Sequence, residues 1–197
     1  DIQGNRGGSS AYWMNGIVSR LTGRPIDFER YLAIRKAENN YLFFPRYLKG
    51  DAFQRVNLSY DGLPGEFSEQ DFKFMEETTT IYPHLPIPFA GKIVVLTDHT
   101  VFSAADEFAY FAKHSSWAMV AGEVTSGGGI GSDPALIRLP VSGILVRYPA
   151  LAGLNRDGSL NTEKKTVPDV IIEGRNEKER LVNVIKYLTG KRGLLNL

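Results

Sequence analysis

A short buried strand that leads into a helix and then into a second buried strand constrains the fold more than any other feature of this chain. Residues 92–97 form an apolar run rich in β-branched side chains, which is typical of a fully buried strand. Apolar residues then recur every three or four positions between Ala104 and Ala112, which predicts a helix. Residues 117–121 again have the composition of a buried strand. This strand-helix-strand order favours an α/β domain.

Ser103 lies at the junction between the first strand and the helix. Asp106 and Glu107 follow in the first helical turn, and Lys113 and His114 lie in the last, as the helix dipole favours. Unpaired N–H groups at the start of a helix stabilise negative charge on a substrate oxygen, so Ser103 is a candidate nucleophile for acyl transfer. The alternative interpretation is a helix cap, with Asp106 completing an approximate capping box.

A glycine-rich turn near the start of the chain precedes a predicted apolar helix that reaches about Leu21. Gly7 and Gly8 can adopt positive φ angles, which would let a backbone N–H approach a substrate oxygen closely. A simple tight turn is the alternative interpretation.

Composition excludes several classes of function. The 23 Lys and Arg residues nearly balance the 22 Asp and Glu residues, which argues against a broad nucleic-acid-binding surface. There is no cysteine, so thiol catalysis and disulfides are excluded, and the three widely separated histidines argue against a zinc site. No apolar run has the length of a membrane span, and these 197 residues contain no signal-peptide pattern. Because the chain starts at Asp1 rather than at methionine, we expect a fragment or a processed product.

Residues 26–90 are predicted to form a loop-rich, aromatic insertion with one helix over residues 68–77, which Ser68 and Asp71 would cap. The aromatic residues between Tyr41 and Phe53 are more typical of a satellite core, although they could line a substrate cleft.

The C-terminal third contains further predicted elements. Residues 136–139 and 143–148 are predicted to form an antiparallel pair, residues 167–172 a last strand and residues 177–188 an amphipathic helix that Gly190 ends. The glycines at 127–129 lack the pattern of a phosphate-binding loop.

Four blocks, taken in order, resemble the S41 peptidase family, which includes the tail-specific or C-terminal-processing serine proteases. They are a glycine turn, a strand followed by the nucleophile segment, a Gly-Glu-x-Thr-x-Gly-x-Gly loop and a Val-x-Pro-Asp strand. In this chain these blocks are residues 1–8, residues 91–97 with 100–108, residues 122–129 and, loosely, residues 167–170.

The resemblance implies an α/β domain of the ββα-spiral (crotonase/ClpP-like) type, with residues 1–197 as its C-terminal catalytic portion. It also implies that Ser103 is the nucleophile and that the backbone N–H groups of Ala104 and of Gly7 or Gly8 form the oxyanion hole. The expected partner is a peptide or protein substrate rather than a nucleic acid, and no metal or organic cofactor is needed. The resemblance also implies an extracytoplasmic location, meaning periplasmic, cell-surface or secreted.

The expected base distinguishes two branches of the family. The processing branch activates its serine with a lysine, and Gly128 stands at that position here. The tricorn-like branch uses an earlier histidine that a further serine and a glutamate orient, so the resemblance places the base in upstream sequence. Glu163 is the candidate orienting residue, with a solvated surface charge as the alternative interpretation. A non-catalytic module that binds peptides or apolar ligands, or a degenerate peptidase, remains an alternative function.

Overall fold

The structure, a computed structural model, describes residues 1–44, 58–59 and 61–190. Helix α1 (Ser10–Trp13) continues through a π-helical turn (Met14–Val18) into α2 (Ser19–Leu21). The later helices are α3 (Glu38–Phe43), α4 (Ala104–His114), α5 (Asn161–Lys164) and α6 (Glu177–Thr189). The strands are β1 (Ile26–Arg35), β2 (Phe72–Ile81), β3 (Val94–Thr97), β4 (Met119–Gly122), β5 (Ala135–Arg138), β6 (Leu145–Tyr148), β7 (Leu151–Leu154) and β8 (Val170–Ile171).

The chain divides into two compact units. The first comprises Asp1–Phe28, Thr80–Gly129 and Lys164–Leu197, and the second comprises Glu29–Thr79 and Ile130–Glu163. Each unit is built from segments that are distant in sequence.

The first unit contains a parallel sheet in the order β3-β4-β8. Val94 lies opposite Met119, and Thr97 lies opposite Gly122. Helix α4 connects β3 to β4, as a parallel pair requires. The predicted strand-helix-strand order is therefore confirmed, and it forms the α/β core of this unit.

Two groups of apolar side chains hold the first unit together. Trp13 of α1 packs against Phe108 and Phe111 of α4, with ring centroids 5.5 and 5.0 Å apart. Val184 of α6 packs against Leu96 and Ala121 of the parallel sheet. The helix predicted over residues 177–188 is confirmed, and it ends at Gly190 in a left-handed conformation.

The second unit contains a sheet in the order β2-β1-β7 and a separate pair of strands, β5 and β6. Strands β1 and β7 are antiparallel, with Tyr31 opposite Leu154, and Tyr31 packs with Phe74 in the core of this unit. The antiparallel pair predicted over residues 136–148 is confirmed as β5 and β6. Much of this hairpin is exposed, and Val141 at its turn is 98% exposed.

The helix predicted over residues 68–77 is wrong. Ser68 and Asp71 do form the expected cap-like hydrogen bonds, with the Asp71 N–H donating to Ser68 Oγ at 3.2 Å. The chain then enters strand β2 instead of a helix. Aromatic and β-branched side chains favour strands, and β2 contains Phe72, Phe74 and an unbroken β-branched run from Thr78 to Ile81. Strands β1 and β2 both lie within residues 26–90, so regular structure takes up more of that segment than the sequence predicts.

The interpretation of the aromatic residues as a satellite core is wrong for Tyr41 and Phe43, whereas Phe44 is half-buried. Tyr41 and Phe43 of α3 are both exposed. Tyr47 and Phe53 lie outside the described residues.

Candidate active site

Ser103 precedes helix α4, as predicted, but it does not cap it. Its side chain makes no capping hydrogen bond, so the helix-cap interpretation is wrong. Its backbone has φ 56° and ψ −132°, a conformation that residues with a side chain rarely adopt. Such strain costs on the order of 1–3 kcal/mol and is commonly found at functional sites. Ser103 is half-buried, and its hydroxyl has no hydrogen-bond partner among the described residues.

Gly7 lies directly against Ser103. A Cβ atom at position 7 would lie 2.7 Å from the Ser103 Cβ and 3.2 Å from its Oγ. The φ of Gly7 is 116°, which is also unfavourable for any residue with a side chain. The structure therefore brings the two features together that the sequence predicted separately, and only glycine fits at position 7.

Two backbone N–H groups near Ser103 have no acceptor within the part of the chain that the structure describes. They belong to Ala104, the first residue of α4, and to Gly8. The Gly7 N–H, in contrast, donates to Asn5 Oδ1 at 3.0 Å. Unpaired donors in the first turn of a helix favour negative charge.

The glycine-rich loop after β4 runs beside Ser103. The Ser103 N–H donates to the Gly127 carbonyl at 3.2 Å, and Phe102 forms a parallel bridge with Gly127. Gly128 has φ 79°, and a Cβ atom there would lie 2.6 Å from the Phe102 ring. Gly128 is therefore held in a left-handed conformation, and the Phe102 ring obstructs any side chain at this position.

Asp106 holds this loop against helix α4, a role that sequence reasoning missed. It is fully buried, and its carboxylate accepts hydrogen bonds from Thr125 Oγ1 and from the Gly129 N–H, the latter at 3.0 Å. Burial raises the pKa of Asp106, and the hydrogen bonds to the carboxylate only partly offset this effect. Acidic residues are common in the first turn of a helix because they interact favourably with the helix dipole. The position of Asp106 in the sequence therefore did not indicate that it binds the loop after β4.

Glu107 is a second buried acid in the same turn. It accepts a hydrogen bond from Ser10 Oγ, which joins the start of α1 to the start of α4. The two acids that follow Ser103 in the first turn of α4 are thus both held by hydrogen bonds from other segments.

His99 lies before Ser103 in the chain, and its ring is held by Glu123. The His99 Nδ1 lies 2.8 Å from Glu123 Oε2, and the ring is 77% exposed. Glu123 also accepts from Arg180 of α6. Burial pushes the pKa of Glu123 upward, but the hydrogen bonds from His99 and Arg180 outweigh it, and the net shift is downward.

The family model for peptidase family S41 matches residues 1–172 of this chain. The chain belongs to peptidase family S41. The resemblance inferred from the four sequence blocks is thereby confirmed.

Solved structures with the S41 fold cover nearly the whole chain. A peptidase candidate from Parabacteroides merdae matches with a TM-score of 0.61 and 22% identity, over 95% of this chain and 49% of that structure. Mature CPAF complexed with lactacystin matches with a TM-score of 0.61 and 18% identity, over 95% of this chain and 41% of that structure. The photosystem II D1 C-terminal processing protease matches with a TM-score of 0.55 and 19% identity, over 98% of this chain and 38% of that structure. At these identities the similarity concerns the fold, and the predicted α/β fold of the S41 type is confirmed. The chain spans less than half the length of each of these structures.

Neither Glu163 nor Lys113 makes a hydrogen bond to Ser103 among the described residues. Glu163 belongs to the second unit; it is exposed, and its side chain makes no hydrogen bond with any described residue. Lys113, near the end of α4, donates to the Val167 carbonyl at 2.6 Å and lies 3.6 Å from Asp169. Lys113 therefore tethers α4 to the segment before β8.

Among the described residues, no helix combines the length and the apolar character needed to cross a bilayer.

Proposed function

We propose that this chain carries the nucleophile and the oxyanion hole of a serine peptidase of family S41. The observation that supports this most directly is the contact between Gly7 and Ser103. It joins a strained serine, whose hydroxyl has no partner among the described residues, to a glycine turn that carries an unpaired N–H.

In this proposal, Ser103 Oγ attacks the carbonyl carbon of a peptide bond and forms a tetrahedral intermediate. The N–H groups of Ala104 and Gly8 donate to the oxyanion, because the Gly7 N–H already donates to Asn5. The base takes the serine proton and returns it to the leaving amine as the C–N bond breaks. Water then hydrolyses the acyl-enzyme and restores the serine.

The base in this proposal is a histidine from a part of the protein outside these 197 residues. Two observations support this choice. No described side chain hydrogen-bonds to Ser103 Oγ, and the lysine of the processing branch is replaced by Gly128 beneath the Phe102 ring. The branch of family S41 is therefore the tricorn-like one.

Glu163 remains the proposed orienting residue for that histidine. Its exposed carboxylate is available to a further segment of the protein. The proposed substrate is a peptide or protein, and the proposed location is extracytoplasmic, as the family resemblance implies.

Labelling by a fluorophosphonate probe tests the proposal, since the probe phosphonylates only an activated serine and releases fluoride. We expect the full-length protein to be labelled, Ser103→Ala to be unlabelled, and Ser115→Ala to be labelled like the wild type. Ser115 is the matched control because it lies at the other end of α4, where its hydroxyl donates to the Phe111 carbonyl at 2.6 Å. Equal labelling of Ser103→Ala and the wild type would contradict the assignment.

A binding module without catalysis is the second candidate, and the exposed side chains of Tyr41, Leu42 and Phe43 favour it. In that case the full-length protein would resist fluorophosphonate labelling but bind a fluorescent fatty acid. Tyr41→Ala with Phe43→Ala would weaken this binding.

A further inference from the structure

Arg180 of helix α6 is buried, with 4% of its surface exposed. Its guanidinium donates to Gln3 Oε1 and to Glu123 Oε1, and also to the Gly174 carbonyl at 3.3 Å. A planar guanidinium can make these bonds in several directions at once, which the ammonium of lysine cannot match. Arg180 thus joins three segments of the first unit: the N-terminal loop, the loop after β4 and helix α6.

The loop that Arg180 holds is the one that carries Gly7 and Gly8. Gln3 is fastened twice to α6, because its Nε2 also donates to the Glu177 carbonyl at 3.2 Å. Farther along, the Gly4 N–H donates to Asp98 Oδ2 at 3.0 Å, and the Asn5 carbonyl accepts from the Phe102 N–H at 3.2 Å. These bonds lead from Arg180 along the loop to the residue before Ser103.

Helix α6 lies beyond the part of the chain that the family model matches. The match ends at residue 172, and the helix covers Glu177–Thr189. A backbone loop rich in glycine has high conformational entropy, so a close contact such as that between Gly7 and Ser103 requires fixed anchors.

We propose that Arg180 is a positioning residue, which holds the N-terminal glycine loop against Ser103 through Gln3. Helix α6 is then part of the machinery of the site, although it lies outside the matched family region. The catalytic consequence rests on the proposed function, whereas the positioning itself does not.

The experiment compares Arg180→Met, Gln3→Ala and the double variant in the full-length protein. Arg175→Met is the control, since Arg175 lies just before α6 and, within the described part of the chain, its side chain pairs only with Glu179 at the surface. Hydrogen–deuterium exchange of residues 2–8 reports the positioning without any need for activity. Fluorophosphonate kinetics report its effect on Ser103.

We expect exchange of residues 2–8 to accelerate about tenfold in Arg180→Met, the effect of losing one charge-assisted hydrogen bond. Gln3→Ala should act in the same direction, and the double variant should accelerate exchange by less than the product of the two single effects, since both single variants remove the Arg180–Gln3 bond. The maximal labelling rate should fall about tenfold in Arg180→Met, with the half-saturating probe concentration unchanged.

Wild-type exchange of residues 2–8 in both Gln3→Ala and Arg180→Met would overturn the proposal and indicate that the contacts of Gly4 with Asp98 and of Asn5 with Phe102 are enough to hold the loop. If Arg180→Met fails to fold, Gln3→Ala decides, because Gln3 is only half-buried. A wild-type protein that resists labelling but shows coupled exchange would refute the peptidase function and leave the positioning role intact.

Discussion

At the residue scale, the site depends on one contact between a glycine and a serine. Gly7 touches Ser103 so closely that a Cβ atom would overlap the serine side chain, and both residues have positive φ angles. The serine is held in a strained conformation and the glycine supplies backbone in place of a side chain. A single methyl group at position 7 is therefore enough to separate Ser103 from the loop that carries the proposed oxyanion donor.

We expect Gly7→Ala to slow fluorophosphonate labelling of the full-length protein by about 100-fold, the cost of one lost oxyanion donor. Gly16→Ala is the control, because a Cβ atom at position 16 meets no heavy atom within 4 Å and Gly16 is not among the glycines with positive φ. A Gly7→Ala protein that labels at the wild-type rate would show that the contact has no role in acylation.

At the scale of elements, the start of helix α4 is joined to the loop after β4 by a buried carboxylate. Asp106 accepts from Thr125 and Gly129, and a Cβ atom at Gly129 would lie 2.2 Å from the Glu107 backbone nitrogen. The loop therefore packs on the helix by backbone contact. Its glycines allow this approach, and Asp106 satisfies its polar groups.

We expect Asp106→Ala to lower the free energy of unfolding by about 2 kcal/mol, because it leaves the buried Gly129 N–H without an acceptor. Urea denaturation measures this change. Glu173→Ala, which removes an exposed acid of the same unit, should change the free energy by less than about 0.5 kcal/mol. Equal stability of the two variants would mean that water replaces the Asp106 contacts.

The contact of Glu123 with His99 and Arg180 predicts a dependence of stability on pH. Because the pKa of Glu123 is lowered below its ordinary value of 4.5, the ionised carboxylate stabilises the folded state above that value. This contribution is lost as the pH falls through the lowered pKa.

We therefore expect Glu123→Gln to cost about 1 kcal/mol at neutral pH, and this cost to shrink progressively as the pH falls below 4.5. Thermal unfolding as a function of pH measures the difference, with Glu173→Gln as the variant that should follow the wild type. A constant difference across this pH range would show that the charge of Glu123 does not carry the effect.

The elements of the first unit were largely predictable from local patterns. Helix α4 begins and ends at the predicted residues because apolar spacing, first-turn acids and last-turn bases all agree. The prediction over residues 68–77 failed because a cap pair is equally compatible with a turn that enters a strand. Pairing with β1 within the β2-β1-β7 sheet decided that choice, and this partner is distant in sequence.

At the scale of the whole molecule, each unit is assembled from segments that are far apart in the chain. Ser103, the proposed nucleophile, belongs to the first unit, together with the glycine turn and the loop after β4 as far as Gly129. Glu163 belongs to the second, as does the exposed β5–β6 hairpin. The hairpin exposes several large apolar side chains, among them Leu136, Val141 and Leu145. A group of exposed apolar side chains indicates a surface that contacts other chain segments or partners.

We expect a protein that consists of these 197 residues alone to lack peptidase activity, because no described side chain serves as a base for Ser103. Hydrolysis of fluorogenic casein measures this, with the full-length protein assayed beside it. Robust hydrolysis by the 197 residues that Ser103→Ala abolishes would refute the proposal that the base lies outside them.

The sequence by itself determined the strand-helix-strand core, the candidate nucleophile and the glycine turn, since these depend on local periodicity and on residue types with few alternative uses. Only the tertiary structure decided that Ser103 does not cap its helix, that Gly7 rather than Gly8 touches it, and that Asp106 and Arg180 fasten the surrounding loops. These are contacts between residues far apart in the chain. Local patterns report how a segment folds, but which distant group meets a hydroxyl or a carboxylate depends on packing.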